Sequence, residues 1–248
     1  VTTMVGMFAS ASVFNQDISG WNVNSVSTME RMFYQTTVFN QDISGWNVGS
    51  VTTMERMFYQ ASEFNQDIGI WDVSSVTTMN SMFYVAAAFN GNIGTWDVSR
   101  VTNMYSMFYL AREFNQDING WDVGSVTDME RVLRKAYAFN QDISGWNVSN
   151  AVTMEQMFYS ASAFNQDIGI WDVDAVTTMA NMFNGATVFS QQLCWNTTGK
   201  DITGMFTNTN GASTIVCDTS QPTSQPTSQP TINTRFKKSF RDRTRRDS

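Results

Sequence analysis

Phe64-Asn-Gln-Asp-Ile68-Gly-Ile-Trp71-Asp-Val73-Ser-Ser-Val76-Thr-Thr-Met79-Asn-Ser-Met82-Phe83-Tyr-Val-Ala-Ala-Ala88 decides how this chain is read, because nearly everything before residue 190 is the same phrase repeated. Phe14, Phe39, Phe64, Phe89, Phe114, Phe139, Phe164 and Phe189 follow one another at a strict step of 25 residues. Trp21, Trp46, Trp71, Trp96, Trp121, Trp146 and Trp171 keep the same step, and the next tryptophan, Trp195, arrives one residue early. A fixed period of this length marks an architecture of stacked turns, each resting on its copies.

Two patterns lie inside one turn. Ile68-x-x-Trp71-x-Val73 puts Trp71 and Val73 two residues apart, on one side of an extended strand, with Asp72 on the other. Val76-x-x-Met79-x-x-Met82-Phe83-x-x-Ala86 has near-helical spacing and predicts a short helix laid over that strand. Ser27-x-x-Glu30, Thr52-x-x-Glu55 and Thr127-x-x-Glu130 fit capping boxes at its start. The expected unit is strand, turn, short helix, turn, with parallel strands about 4.8 Å apart from one turn to the next. One such turn cannot bury enough apolar surface to offset the ordering of its own backbone, so stacking supplies the stability.

These residues carry a resemblance. Ile-x-x-Trp-x-Val resembles the strand signature of leucine-rich repeats, with Trp71 and Val73 in leucine positions. The Met-Phe element resembles the Ala-Phe element of BspA-like proteins. The phrase FNQDISGWNV…VTTMERMFYQA is similar to the bacterial surface-protein repeat of about 26 residues, over residues 1 to about 188. The resemblance implies an α/β solenoid of leucine-rich-repeat type with eight turns. It also implies an extracellular or cell-surface location, a binding or adhesion role, and no catalytic residues.

Composition narrows the field further. The 248 residues contain no His, two Cys and a formal charge of −7. Apolar content of 42% suffices for a core, and no run of about 20 apolar residues suggests a membrane span. No signal peptide is visible, and Val1 enters mid-repeat, which suggests that the natural start lies upstream. Residues 233–248 hold seven Lys or Arg and two Asp, which leaves the repeats acidic and a poor partner for nucleic acid.

Four regions are expected: a repeat array over 1–188, a degenerate last turn and cap over 189–218, a Thr-Ser-Gln-Pro linker over 219–231, and a basic tail over 232–248. A disulfide between Cys194 and Cys217 would staple the cap, and it would place the protein outside the cytosol. Asn147 and Asn196 open glycosylation sequons. With no His and no unique pair of carboxylates, acid–base or triad catalysis has little to work with, so a non-enzyme is expected.

The candidate sites are columns. Asn15, Asn40, Asn65, Asn90, Asn115, Asn140 and Asn165 suggest a structural ladder of amides bonding to one another and to the turn backbone. Asp17, Asp42, Asp67, Asp117, Asp142 and Asp167 could splay into solvent, cap turn N–H groups or share Ca²⁺, with capping preferred; no other cofactor is expected. Asn22, Asn47, Asp72, Asp97, Asp122, Asn147 and Asp172 form an outward stripe, expected on a concave sheet face, that suits a protein or carbohydrate ligand. Tyr34, Tyr59, Tyr84, Tyr109 and Tyr159 are expected to cover the edge of the core. Arg131 to Lys135 form a basic break in the sixth turn. The rivals to a binding module are a rod that self-assembles through its ends and, more weakly, an ice- or mineral-binding face at the Thr-Thr pairs.

Overall fold

A computed structural model describes residues 1–214. Within them the 25-residue period becomes a series of coils, each hydrogen-bonded to the next. In the third coil the N–H groups of Met54, Arg56, Phe58 and Gln60 donate to the carbonyls of Thr78, Asn80, Met82 and Tyr84 at 2.6–3.3 Å. Between these rungs, Met57, Tyr59 and Ala61 donate back to Met54, Arg56 and Phe58, three residues earlier. Alternate peptide units therefore lie along the stack, and the intervening ones close turns within the coil. The same arrangement recurs from Met4 to Gly185, where Met179, Asn181, Phe183 and Gly185 donate to Asp201, Thr203, Met205 and Thr207.

The rest of each coil is also turns. Phe64, Trp71 and Val76 donate to Ala61, Ile68 and Val73. Among the described residues there is no helix, and the strands are β1, Gln192–Leu193, and β2, Ser213–Thr214, paired in parallel. A file of single parallel bridges links Thr3, Thr28, Thr53, Thr78, Asn103, Asp128, Thr153, Thr178 and Asp201.

Both elements expected inside the turn thus differ from what the spacing suggested. The segment from Ile68 to Trp71 is closed by a turn bond rather than extended. Val76 to Ala86 is not helical, because Ser81 and Val85 take φ of 54° and 55°. Two such left-handed residues recur in every coil, as at Arg31 and Gln35 or Arg56 and Gln60. They turn alternate N–H groups outward along the stack, where a helix would point them at its own fourth carbonyl. The expected capping boxes have no helix to cap. Thr52 instead donates its hydroxyl to the Ser27 carbonyl of the preceding coil, and Thr77 does the same to Thr52.

The sides expected of the apolar residues hold. Ile68, Trp71, Val73, Val76, Met79, Met82, Phe83, Ala86 and Phe89 are all buried, as are their counterparts in neighbouring coils. Each tryptophan from Trp46 to Trp171 donates its indole N–H to an isoleucine carbonyl 28 residues earlier; Trp96 to Ile68 is 3.1 Å. Trp195 still stacks on Trp171 at 6.2 Å, but its indole nitrogen is buried without an acceptor. The early arrival of Trp195 leaves it out of register.

Ring spacing gives the shape of the stack. Successive rings lie 4.4–4.7 Å apart in the file of Tyr34, Tyr59, Tyr84 and Tyr109. The spacing is 5.4–5.7 Å in the Phe33–Phe58–Phe83 file and its continuations. It rises to 5.8–6.1 Å in the Phe39–Phe64–Phe89 file and to 6.2–6.4 Å from Trp96 to Trp195. The coils fan open from the ladder side toward the tryptophans. The stack is concave on the tyrosine side.

Val85 is a β-branched residue held in a left-handed conformation that costs an L-residue about 1–2 kcal/mol. Val85→Gly should raise the urea midpoint by about 1 kcal/mol of stability. Trp96→Phe, which removes the bond to Ile68, should lower it by about 1–3 kcal/mol.

Candidate functional site

The Asn column is a ladder that bonds to the turn backbone, as expected, but not from asparagine to asparagine side chain. Each side-chain oxygen accepts the backbone N–H of the next asparagine and the Nε2 of the neighbouring glutamine. Asn40 Oδ1 takes Asn65 N at 2.9 Å and Gln66 Nε2 at 2.8 Å. The same holds at Asn15, Asn90, Asn115, Asn140 and Asn165, where the last receives Ser190 and Gln191. Asn65 receives Asn90 N alone, because Gly91 replaces the glutamine. The asparagine side chains do not bond one another; each bonds the backbone and the glutamine amide of the next coil.

Asp17, Asp42, Asp67, Asp117, Asp142 and Asp167 each accept the N–H two residues on, at 2.9–3.0 Å. Hydrogen bonds from Ser19 and Ser44 hold the carboxyls of Asp17 and Asp42 below the usual value. Among the described residues no three His, Cys, Asp or Glu converge as a metal cluster would require.

The outward stripe of Asn22, Asn47, Asp72, Asp97, Asp122, Asn147 and Asp172 is exposed throughout. Each Oδ1 is already engaged by the N–H two residues on, as in Ser74 to Asp72 at 3.1 Å. The stripe lies beyond the tryptophan file, on the wide side of the fan. The concave face expected there is on the opposite side. Asn147 and Asn196 are both exposed, and their Oδ1 atoms accept from Ser149 and Thr198. Cys217, the linker over 219–231 and the tail over 232–248 lie outside the described residues.

On the concave side the tyrosine stripe, expected only to cover the edge of the core, meets residues that the sequence reading did not join to it. Arg31, Tyr34, Arg56, Tyr59, Ser81, Tyr84 and Tyr105 line a groove of about 500 Å³. Its origin is local. Ser81 occupies the left-handed position that Arg31 and Arg56 hold in earlier coils, is 3% exposed, and donates to Asn80 Oδ1 at 2.7 Å. A short side chain there deepens the surface. Tyr105 stands in a column that holds Glu30, Glu55, Asn80, Glu130, Glu155 and Ala180 in other coils. Its hydroxyl accepts from Arg131 Nη1 at 2.6 Å, and the Arg131 guanidinium lies 5.7 Å from its ring centre. Arg31 and Arg56 contact Glu30 and Glu55 at 3.5 and 3.3 Å.

Three overlapping segments, residues 1–91, 45–143 and 117–216, match the family described as "Mycoplasma protein of unknown function, DUF285". The chain belongs to this family. No curated protein and no solved structure matches it. The tandem matches bear out a repeat protein, and the family description assigns no activity.

In this DUF285 chain the basic break of the sixth coil is largely spent internally. Arg134 takes the place of a tyrosine in the file, with its guanidinium 5.4 Å from the ring centre of Tyr109 and 4.5 Å from that of Tyr159. Its Nη1 is in close contact with Gln156 Oε1, and its Nε is buried without an acceptor. Arg131 reaches Gln156 Oε1 at 3.0 Å and Glu130 at 3.1 Å. Burial pushes the Glu130 carboxyl above its usual value, with Arg131 opposing. Burial and the adjoining tyrosines push the Tyr84 hydroxyl from 10.0 to about 12.

Two outcomes follow for stability. The fold favours neutral Tyr84, so its contribution is full below pH 10 and fades as pH rises toward about 12. Chemical melts across that window should show a loss that Tyr84→Phe reduces. Arg134→Tyr, which completes the file and removes the unpaired Nε, should raise the urea midpoint by about 0.5–1.5 kcal/mol.

Proposed function

We propose that this chain is a non-catalytic interaction module of an extracellular or cell-surface protein. In this reading it is a solenoid that offers other molecules a patterned side-chain exterior. One observation carries the reading: along the concave side the ladder spends the backbone of each coil on its neighbours, so the chemistry turned outward repeats in side chains alone. Stacked-repeat surfaces of this kind bind through extended arrays of side chains. The resemblance to the BspA-like surface repeat supports the surface setting. The two sequons and the expected Cys194–Cys217 pair fit an oxidising compartment.

The carboxylates agree with a binding role more readily than with chemistry. The aspartates stand in columns, each accepting an N–H of its own turn, and the glutamates Glu30, Glu55, Glu130 and Glu155 contact arginines, whereas acid–base catalysis needs groups with different environments meeting at one point. The concave groove brings arginine, tyrosine and serine side chains from four coils together.

Probing glycan and protein arrays with the full chain, alongside light scattering, tests the proposal. The expected outcome is selective retention by a monomeric chain. Assembly that grows with concentration, with no retained ligand, would support a self-associating rod instead.

A further inference from the structure

Resting on that reading, we infer that the concave groove is the site of recognition and that it takes a short acidic glycan. A carboxylate on the sugar would meet Arg31 and Arg56, and a ring face would lie on Tyr105. The lining contains two guanidiniums and no carboxylate, in a chain whose formal charge is −7. Each guanidinium contacts one glutamate oxygen at 3.3–3.5 Å, and the arginine side chains are 45% and 33% exposed. Donors therefore remain for a bidentate carboxylate, the geometry in which arginine binds most strongly.

The walls suit a sugar. Tyr59 and Tyr84 stack ring on ring at 4.4 Å, which turns their edges and hydroxyls, and not their faces, to the groove. Tyr84 keeps its proton well beyond neutral pH and can donate to a ring oxygen or hydroxyl. Tyr105 differs, since it stands outside that file and is anchored through its hydroxyl by Arg131, a pre-set aromatic wall. Ser81 gives the depth. Arg31 and Tyr105 are three coils apart, about 15 Å, so the two ends of the groove would engage different sugar units of one oligosaccharide.

The backbone argues against an extended acidic peptide in the same place. Peptides that add to an edge need free N–H and C=O groups, and on this side Arg31, Phe33, Arg56 and Phe58 already donate to the next coil. A glycan needs only side-chain partners. Concavity helps it too, because the coil spacing is shortest here and the side chains converge.

Isothermal titration of the full chain at low salt, with galacturonic acid trisaccharide, its methyl-esterified neutral form and triglutamate, tests the assignment. The acid trisaccharide should bind, more weakly as salt rises. The neutral form and triglutamate should bind at least tenfold more weakly. Arg56→Gln and Arg31→Gln should each lower affinity several-fold, and Tyr105→Ala at least tenfold, with circular dichroism reporting the fold. Asp122→Asn, on the far stripe, should bind as the parent does. Absence of binding, equal binding of triglutamate or the neutral form, or undiminished affinity in the double Arg31→Gln/Arg56→Gln variant would overturn it. Array ligands still retained by that double variant would leave the interaction-module reading standing and remove only the groove.

Discussion

The structure depends on a hydrogen-bond ladder in which four peptide units per coil are aimed along the stack. In the second coil Met29, Arg31, Phe33 and Gln35 donate forward, while the carbonyls of Thr28, Glu30, Met32 and Tyr34 accept from the coil behind. Each of these carbonyls shares a peptide unit with the donor that follows it, so whole peptide planes line up from coil to coil. Such alignment demands that alternate residues leave the right-handed region, and the two left-handed residues per coil meet that demand. The strain is repeated in every coil and is offset by bonds that no isolated coil could make. Near-identical neighbours are therefore a requirement of the fold.

The ladder also sets the curvature. Backbone bonds of 2.6–3.3 Å fix the coil spacing on one side, whereas the far side is held by stacked indoles and by bonds that involve side chains, such as Trp to Ile carbonyl at 3.0–3.2 Å and Gln66 to Asn40 at 2.8 Å. Parallel backbone segments settle near 4.8 Å. Flat rings inside the core, tilted and offset, take 5.4 Å or more. The mismatch opens the fan toward the tryptophans and closes it over the tyrosines, which brings arginines from successive coils together at the groove.

The period, the buried columns and the side on which each apolar residue lies could all be read from the sequence. Repetition reports packing directly: Trp71 and Val73 do point the same way. Secondary structure was less legible for a physical reason. Bonds three residues apart place Met79, Met82 and Phe83 on one side much as a helix of 3.6 residues per turn would, and eight residues are too few to separate the two periods. The decisive signal is φ, and at these positions it is masked by Arg, Ser, Gln and even Val. Gly6, Gly185 and Gly204, with Asn181 and Asn208, standing in the same two columns, hint at a left-handed backbone. The placement of the outward stripe failed for a related reason. Its residues were read correctly as exposed, but concavity comes from the fan, which no single repeat encodes.

The groove illustrates where individuality enters a chain of copies. A motif search weighs what recurs, and what recurs here is devoted to holding one coil on the next. The groove instead arises from departures: Ser81 in place of arginine deepens it, and Tyr105 in place of glutamate walls it. Further along, Arg134 in place of tyrosine ends the run of phenol rings at Tyr109, and its charge is absorbed between Tyr109 and Tyr159. Arg31 and Arg56 upstream each contact one glutamate, while Arg131 and Arg134 downstream are bound among Tyr105, Tyr109, Gln156 and Tyr159. In a repeat protein built this way, a residue that breaks its column without disturbing the ladder is the natural place to look for a contact with another molecule.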